Sequence, residues 1–105
     1  MIKFICNAFS LNMMASFPMN ADCVEINLAQ AKELAVDVPS AVGHTDTAAV
    51  FTTVLGLPVS TARVTVQLVA GDQVLVGQYS GPRLPEGATQ LPEGATIKWV
   101  LVSIS

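Results

Sequence analysis

IKFIC at residues 2–6 runs directly into NAFSLNMM at residues 7–14, and this junction decides the fold class. The first segment is apolar, branched or aromatic apart from Lys3, which predicts a short buried β-strand. In the second segment small polar side chains alternate with apolar ones, which predicts a polar turn at the end of the strand. In open sheets that carry helices, ligands bind at the carboxyl ends of the strands. The junction therefore predicts both a sheet and a candidate binding edge.

The next part of the chain predicts one more strand and two helices. Residues 23–28 have the alternating character of a strand, and residues 29–36 are good helix formers. A second helix is expected at about residues 46–55, with Thr45 as its N-cap and Gly56 as its stop.

The second half of the chain has the pattern of a β-hairpin, a long loop and a final strand. Residues 63–69 alternate between polar and apolar side chains, Gly71-Asp72 predicts a turn, and residues 73–80 predict the returning strand. Residues 81–95 are rich in Pro and Gly and predict a loop. The apolar, β-rich residues 96–104 predict the last strand.

Length and composition describe one packed domain. A chain of 105 residues that is 51% apolar and 12% charged has room for one hydrophobic core. The predicted fold is therefore a single α+β domain over residues 1–105, with a mixed central β-sheet flanked by two or three short helices. A short apolar chain also tends to leave hydrophobic surface uncovered. We expect a homodimer to cover that surface, with a well-covered monomer as the alternative.

The formal net charge of −3 argues against a general nucleic-acid binder, and no DNA partner is expected. Two or three arginines that hold a few phosphates are still compatible with this charge. No apolar run reaches membrane-spanning length and no secretory leader is recognisable, so we expect a cytoplasmic protein without a membrane partner. In that compartment Cys6 and Cys23 are expected to be reduced core residues, with a disulfide as the alternative.

The predicted loop contains a tandem repeat, LPEGAT at residues 84–89 and again at residues 91–96. Two copies are too few for a solenoid. The repeat predicts either two similar turns or a long mobile lid, at about residues 81–95, that closes over a ligand.

Few residues of this chain are suited to catalysis. His44 is the single histidine, no His or Cys spacing resembles a zinc site, and the eight carboxylates form no dense cluster. No glycine-rich phosphate loop is present, and we expect neither a metal nor a cofactor. Histidine is the natural proton donor or acceptor near neutral pH, and His44 precedes a predicted helix N-terminus that favours anions. The alternative for His44 is a capping or buried structural role.

The other polar candidates each have an ordinary alternative. Arg63 and Arg83 could bind phosphate or lie in solvent near strand ends. Ser10 and Asn12 could contact a ligand or satisfy the backbone of a turn. Glu86 could be an ordinary turn carboxylate.

Four motifs together resemble those of the viral anti-CRISPR ring nucleases, which act against type III CRISPR defence. They are NAFSLNM at residues 7–13, VGH at residues 42–44, Arg63-Val64, and RLPEG at residues 83–87. They occur in the family's order and at close to its spacing. This sequence departs from the family in two places. The segment after the loop is shorter, and the second LPEG copy has no counterpart, so that Glu93 is an alternative to Glu86.

The resemblance implies a homodimer that binds cyclic tetra-adenylate across its two-fold axis. It implies metal-independent cleavage to linear di-adenylate with a 2′,3′-cyclic phosphate. In that reaction His44 protonates the leaving 5′-oxygen, Arg83 offsets phosphorane charge and Glu86 engages a ribose hydroxyl. The residues implied in ligand binding are Asn7, Ser10, Asn12, Gly43, Thr45 and Arg63.

Two other functions remain open from the sequence. One is a protein that sequesters the cyclic nucleotide without cutting it. The other is a structural or interaction protein with an inert cleft.

Overall fold

The computed structural model describes residues 2–105, which form a four-stranded sheet, two α-helices and one 3-10 turn. The predicted single α+β domain with a mixed sheet and short helices is confirmed. The elements are β1 (Ile2–Cys6), β2 (Ala21–Ile26), α1 (Leu28–Leu34), α2 (Thr45–Leu55), β3 (Gln73–Ser80) and β4 (Thr96–Ile104), with the 3-10 turn at Leu11–Met13.

The strands lie in the order β1-β3-β4-β2. β1 runs parallel to β3, whereas β4 is antiparallel to both β3 and β2. A parallel pair needs a crossover connection, and here the chain between β1 and β3 contains β2 and both helices. The parallel pairing also brings the carboxyl ends of β1 and β3 to one edge of the sheet. The segments that follow these two strands therefore begin at the same edge.

The side chains on the two faces of the sheet form two separate hydrophobic cores. Leu75 and Trp99 face the helices and belong to a buried cluster with Phe51 of α2. We call this cluster the helix-side core. Val76 and Val102 face the other way and cluster with Leu68, which lies outside the sheet, and this cluster is the second core. This division follows from the strand repeat of two, because successive side chains point to opposite faces.

Gly77 of β3 lies directly beneath an aromatic pair in the helix-side core. The rings of Phe51 and Trp99 have centroids 5.1 Å apart and are tilted by 58°. A Cβ atom on Gly77 would lie 2.6 Å from ring carbons of both residues. The absence of a side chain on Gly77 is therefore what allows these two rings to pack against the sheet.

The predicted hairpin over residues 63–80 is wrong in its first arm. β3 forms as predicted, but both of its edges are taken by β1 and β4, so residues 63–69 cannot pair with it. Leu68 instead pairs with Met14 of the N-terminal turn in an isolated parallel bridge. The alternation seen in the sequence still has a cause, because Val66 and Leu68 are buried in the second core.

The helix boundaries agree with the prediction to within one or two residues. α2 ends at Gly56, which has the left-handed φ of +70° expected of a helix stop. The N-cap of α2 is His44 and not Thr45. α1 begins after a capping box that the sequence analysis missed. The Gln30 amide donates to Asn27 Oδ1 at 2.8 Å, and the Asn27 amide donates to Gln30 Oε1 at 3.0 Å.

The cysteines have different environments, and both are free. Cys6 is buried in the second core, and burial raises the pKa of its thiol to about 11. It therefore stays neutral and unreactive near neutral pH. The prediction that Cys23 is also a core residue is wrong. Cys23 is exposed, as are most residues of β2, an edge strand that begins two residues earlier than predicted.

The turn before β3 makes the stability of the fold depend on pH. Asp72 Oδ2 accepts a hydrogen bond from the Val69 amide at 2.9 Å and one from Lys3 Nζ at 3.2 Å. The Val69 amide lowers the pKa of Asp72 below its ordinary value of 3.8, and Lys3 adds to this against an opposing effect of burial.

We expect the Asp72→Asn variant to be less stable than the wild type at pH 7, by under about 1 kcal/mol because the pair lies at the surface. The charge of Asp72 stabilises the fold above pH 3.8, and this contribution is lost as the pH falls through the lower folded-state pKa. Urea unfolding from pH 7 to pH 2 measures the difference between the two proteins. A difference that stays constant over this range would contradict the assignment.

Candidate functional site

A cleft of about 970 Å³ lies where the start of α2, the end of β3 and the following loop come together. It is at the carboxyl end of β3, and hence at the edge of the sheet that the sequence predicted as the binding edge. Its walls are formed by His44, Asp46, Thr47, Tyr79, Gly81, Arg83, Leu84, Pro85 and Glu86.

A second depression, of about 540 Å³, adjoins the cleft. His44, Asp46 and Glu86 line both of them, so these three residues form the ridge between the two. The second depression is completed by Gly43, Thr45, Thr61, Arg63 and Gly87.

His44 is available for chemistry and is not used for packing. It is exposed, it has an extended backbone with φ −119°, and its side chain makes no capping hydrogen bond to α2. The capping and buried structural alternatives therefore do not describe its side chain. The free amides of the first turn and the helix dipole favour an anion beside it.

Arg63 is held beside His44 although the strand predicted to carry it does not form. Its Nε donates to the Gly43 carbonyl at 3.1 Å, and the Ala62 amide donates to the Val42 carbonyl at 2.8 Å. These bonds join residues 62–63 to the segment that leads into α2. The remaining N–H groups of the exposed Arg63 guanidinium can bind an anion.

Glu86 lies in the first copy of the LPEGAT repeat, and Arg83 directly precedes that copy. The Ala88 amide donates to the Pro85 carbonyl at 3.0 Å, and Gly87 takes a left-handed φ of +79°. The second copy repeats this turn, with a bond of 3.1 Å from Ala95 to Pro92 and a φ of +81° at Gly94. The repeat thus forms two similar turns, and the mobility of residues 81–95 as a lid stays a prediction.

The two candidate glutamates differ in position. Glu86 lines both depressions, whereas Glu93 lines neither of them. The structure therefore favours Glu86, the residue that also follows Arg83 at the spacing of the resemblance.

The N-terminal turn does not reach this site within one chain. Asn7, Ser10 and Asn12 line neither depression. Their neighbours Ala8 and Phe9 line a separate depression of about 290 Å³ on the other face of the sheet. The turn nevertheless begins at the same sheet edge as the cleft, because it follows β1 as the loop follows β3.

Comparison with known proteins identifies the family. The sequence pattern of the STIV B116-like family matches residues 3–98. The chain belongs to the STIV B116-like family. Its structure is similar to that of B116 of Sulfolobus turreted icosahedral virus, with 27% identity, a TM-score of 0.82 and 97% of each chain covered. A search of curated proteins finds no match.

B116-like membership confirms the expectation of a viral protein family, whereas the narrower assignment to ring nucleases stays a prediction.

Residues 2–105 contain no helix that is long and apolar enough to cross a membrane. Over the same residues no three His, Cys, Asp or Glu side chains are grouped to hold a metal ion.

Several residues of the site in this B116-like chain were not predicted from the sequence. Asp46, Thr47 and Tyr79 line the cleft, and Thr61 lines the second depression. Tyr79 also donates a hydrogen bond to the Pro82 carbonyl, which fixes the start of the loop. Only Asp46 gave a signal in the sequence, as an acidic residue in the first turn of a helix.

Proposed function

We propose that this B116-like protein is a ring nuclease that cuts cyclic tetra-adenylate without a metal ion. The observation that carries the proposal is the position of His44, which is exposed on the ridge between two depressions that also contain Arg63, Arg83 and Glu86. A proton donor, two phosphate-binding cations and a carboxylate are groups suited to this reaction. The four motifs that resemble those of the viral ring nucleases support the same assignment.

The proposed reaction uses a nucleophile that belongs to the substrate. A ribose 2′-oxygen attacks the adjoining phosphorus in line, and its proton passes to water. The new P–O bond closes a 2′,3′-cyclic phosphate as the bond to the 5′-oxygen breaks. His44 donates a proton to that departing oxygen, so that no free alkoxide has to form. The remaining task of the protein is to hold the in-line geometry.

The other groups of the site have electrostatic and positioning roles in this proposal. Arg83 offsets the charge that develops on the phosphorane, for which its planar guanidinium is suited. Arg63, held at the Gly43 carbonyl, binds a neighbouring phosphate, and the α2 start at Thr45 adds partial positive charge. Glu86 accepts a hydrogen bond from a ribose hydroxyl.

The symmetry of the ligand supports a homodimer. Cyclic tetra-adenylate is a ring of four nucleotides, and a two-fold dimer meets it with matching halves. Two copies of His44 then make two equivalent cuts and release two di-adenylates. Asn7, Ser10 and Asn12 contact the ligand in this arrangement from the turn that follows β1.

The proposed biological role is to destroy the signal that activates type III CRISPR defence. A protein with this activity acts in the cytoplasm of the host cell, where that messenger is made. Its loss from a virus then leaves the defence nucleases active.

Product analysis tests the proposal directly. We would incubate the purified protein with cyclic tetra-adenylate and excess EDTA and separate the products by chromatography. Linear di-adenylate that ends in a 2′,3′-cyclic phosphate is the expected result. An intact ring that co-elutes with the protein would support sequestration in its place. An intact and unbound ring would overturn both functions.

We expect Arg83→Ala to weaken ligand binding and to slow cleavage as well, because the lost guanidinium contacts phosphate in both the ground state and the transition state. The loss of one such charge-stabilising donor is expected to slow cleavage by about 10²–10³-fold. Arg83→Lys is the matched control, because it keeps the charge and loses the planar fork, and it should be affected less. Single-turnover kinetics and calorimetric titration separate the two effects. Activity that is insensitive to Arg83→Ala would show that another group offsets the charge.

A further inference from the structure

The loop that carries Arg83 and Glu86 is tied to α2 at two places. The Gly87 amide donates to Asp46 Oδ1 at 3.0 Å, and Thr53 Oγ1 donates to the Thr89 carbonyl at 2.5 Å. Asp46 and Thr53 are separated by about two turns of α2, or roughly 10 Å along its axis. Residues 87–89 therefore lie along α2. The two bonds hold the first half of the loop in place beside the cleft.

Asp46 distinguishes the two copies of the repeat. Gly87 and Gly94 occupy the same position in the same kind of turn, and both have a left-handed backbone. The Gly87 amide donates to a carboxylate, whereas no side chain within residues 2–105 accepts a hydrogen bond from the Gly94 amide. The copy that is held to α2 is thus the one that carries Glu86.

We propose that Asp46 is a positioning residue, which holds the Arg83–Glu86 segment at the cleft through the Gly87 amide before any ligand binds. This inference rests on the proposed function for its effect on cleavage. The bond ties the turn to a residue of α2 that lies 41 positions earlier in the chain, so an acceptor oxygen at this position can order the turn. Ordering before binding removes an entropic cost from the binding step and places Arg83 for the reaction.

The alternative role for Asp46 is a purely electrostatic one. A carboxylate in the first turn of a helix stabilises it through the helix dipole, with no effect on the loop. Two variants separate these roles. Asp46→Asn removes the charge but keeps an oxygen that can accept from Gly87, whereas Asp46→Ala removes both. Asp46 is only half-buried, so both variants are expected to fold.

Amide hydrogen exchange is the first measurement. Positioning predicts that the Gly87 amide is protected in the wild type and in Asp46→Asn and exchanges at least about tenfold faster in Asp46→Ala. The Gly94 amide is the internal reference and should not change. Equal protection of Gly87 in all three proteins, or equal loss in both variants, would overturn the inference.

Cleavage kinetics are the second measurement. If Asp46 positions the loop, kcat for cyclic tetra-adenylate should fall by about 10- to 100-fold in Asp46→Ala. In Asp46→Asn it should stay close to the wild-type value. The dipole role predicts that the two variants behave alike, which would overturn the positioning role. If the wild type does not cut the ring, the proposed function fails by itself. In that case the exchange of Gly87 still decides whether Asp46 holds the loop.

Discussion

His44→Ala is expected to slow cleavage of cyclic tetra-adenylate by about 10²–10⁴-fold, the usual contribution of a general acid, while binding of the ring persists. The proton that His44 donates is needed only as the bond to the 5′-oxygen breaks, so its loss affects the transition state more than the bound ligand. Single-turnover rates measure the first effect, and calorimetric titration of the ring measures the second.

His44→Asn is the control that separates catalysis from folding. His44 is the N-cap of α2 but its side chain makes no capping bond, whereas Asn is among the best N-cap residues. The Asn variant should therefore be at least as stable as the wild type. Its cleavage should be slowed as much as that of His44→Ala. Loss of ring binding in both variants would contradict the assignment and show that His44 is a ligand contact.

Gly77→Ala is expected to lower the free energy of unfolding by about 1–3 kcal/mol, as overpacking of a core does. In an unobstructed strand this substitution should stabilise the fold by about 0.5–1 kcal/mol, because alanine loses less backbone entropy. The added methyl would lie 2.6 Å from ring atoms of both Phe51 and Trp99, which are themselves fully packed, so the clash outweighs the entropic gain. The expected loss is a large part of the total stability of a small domain.

Urea unfolding of Gly77→Ala measures this effect, with Gln78→Ala as the matched control. Gln78 is the next residue of β3 and is exposed on the other face, so its truncation should change stability by no more than about 0.5 kcal/mol. Adding Phe51→Leu to Gly77→Ala should recover part of the loss, because the smaller side chain makes room for the methyl. A Gly77→Ala protein as stable as the wild type would show that the aromatic pair can move away at no cost.

Segments whose structure depends on neighbouring residues could be predicted from the sequence. β1 and β4 have the predicted bounds because both segments are rich in apolar and β-branched residues, which favour strands. The end of α2 was predictable because Gly56 terminates a helix by its own conformational freedom. A cleft does lie at the predicted edge, at the carboxyl end of β3, and the binding of a ligand there stays a prediction.

Features that depend on distant pairings could not be predicted. Residues 63–69 have a strand pattern, but nothing local shows that β1 and β4 already occupy both edges of β3. Residues 63–69 alternate because Val66 and Leu68 are buried in the second core, and the segment does not belong to the sheet. The bond between Asp46 and Gly87 is also invisible in the sequence, because it joins residues that are far apart in the chain.

The parallel pairing of β1 with β3 has a consequence for how the chain acquires its structure. β1 pairs with β3, which follows β2 and both helices in the chain. Forming this pair therefore closes a loop that contains most of the chain. Such non-local closure slows folding, and domains dominated by it reach the native state in milliseconds to seconds. A fragment of the chain that ends before β3 therefore lacks the sheet edge on which the cleft is built.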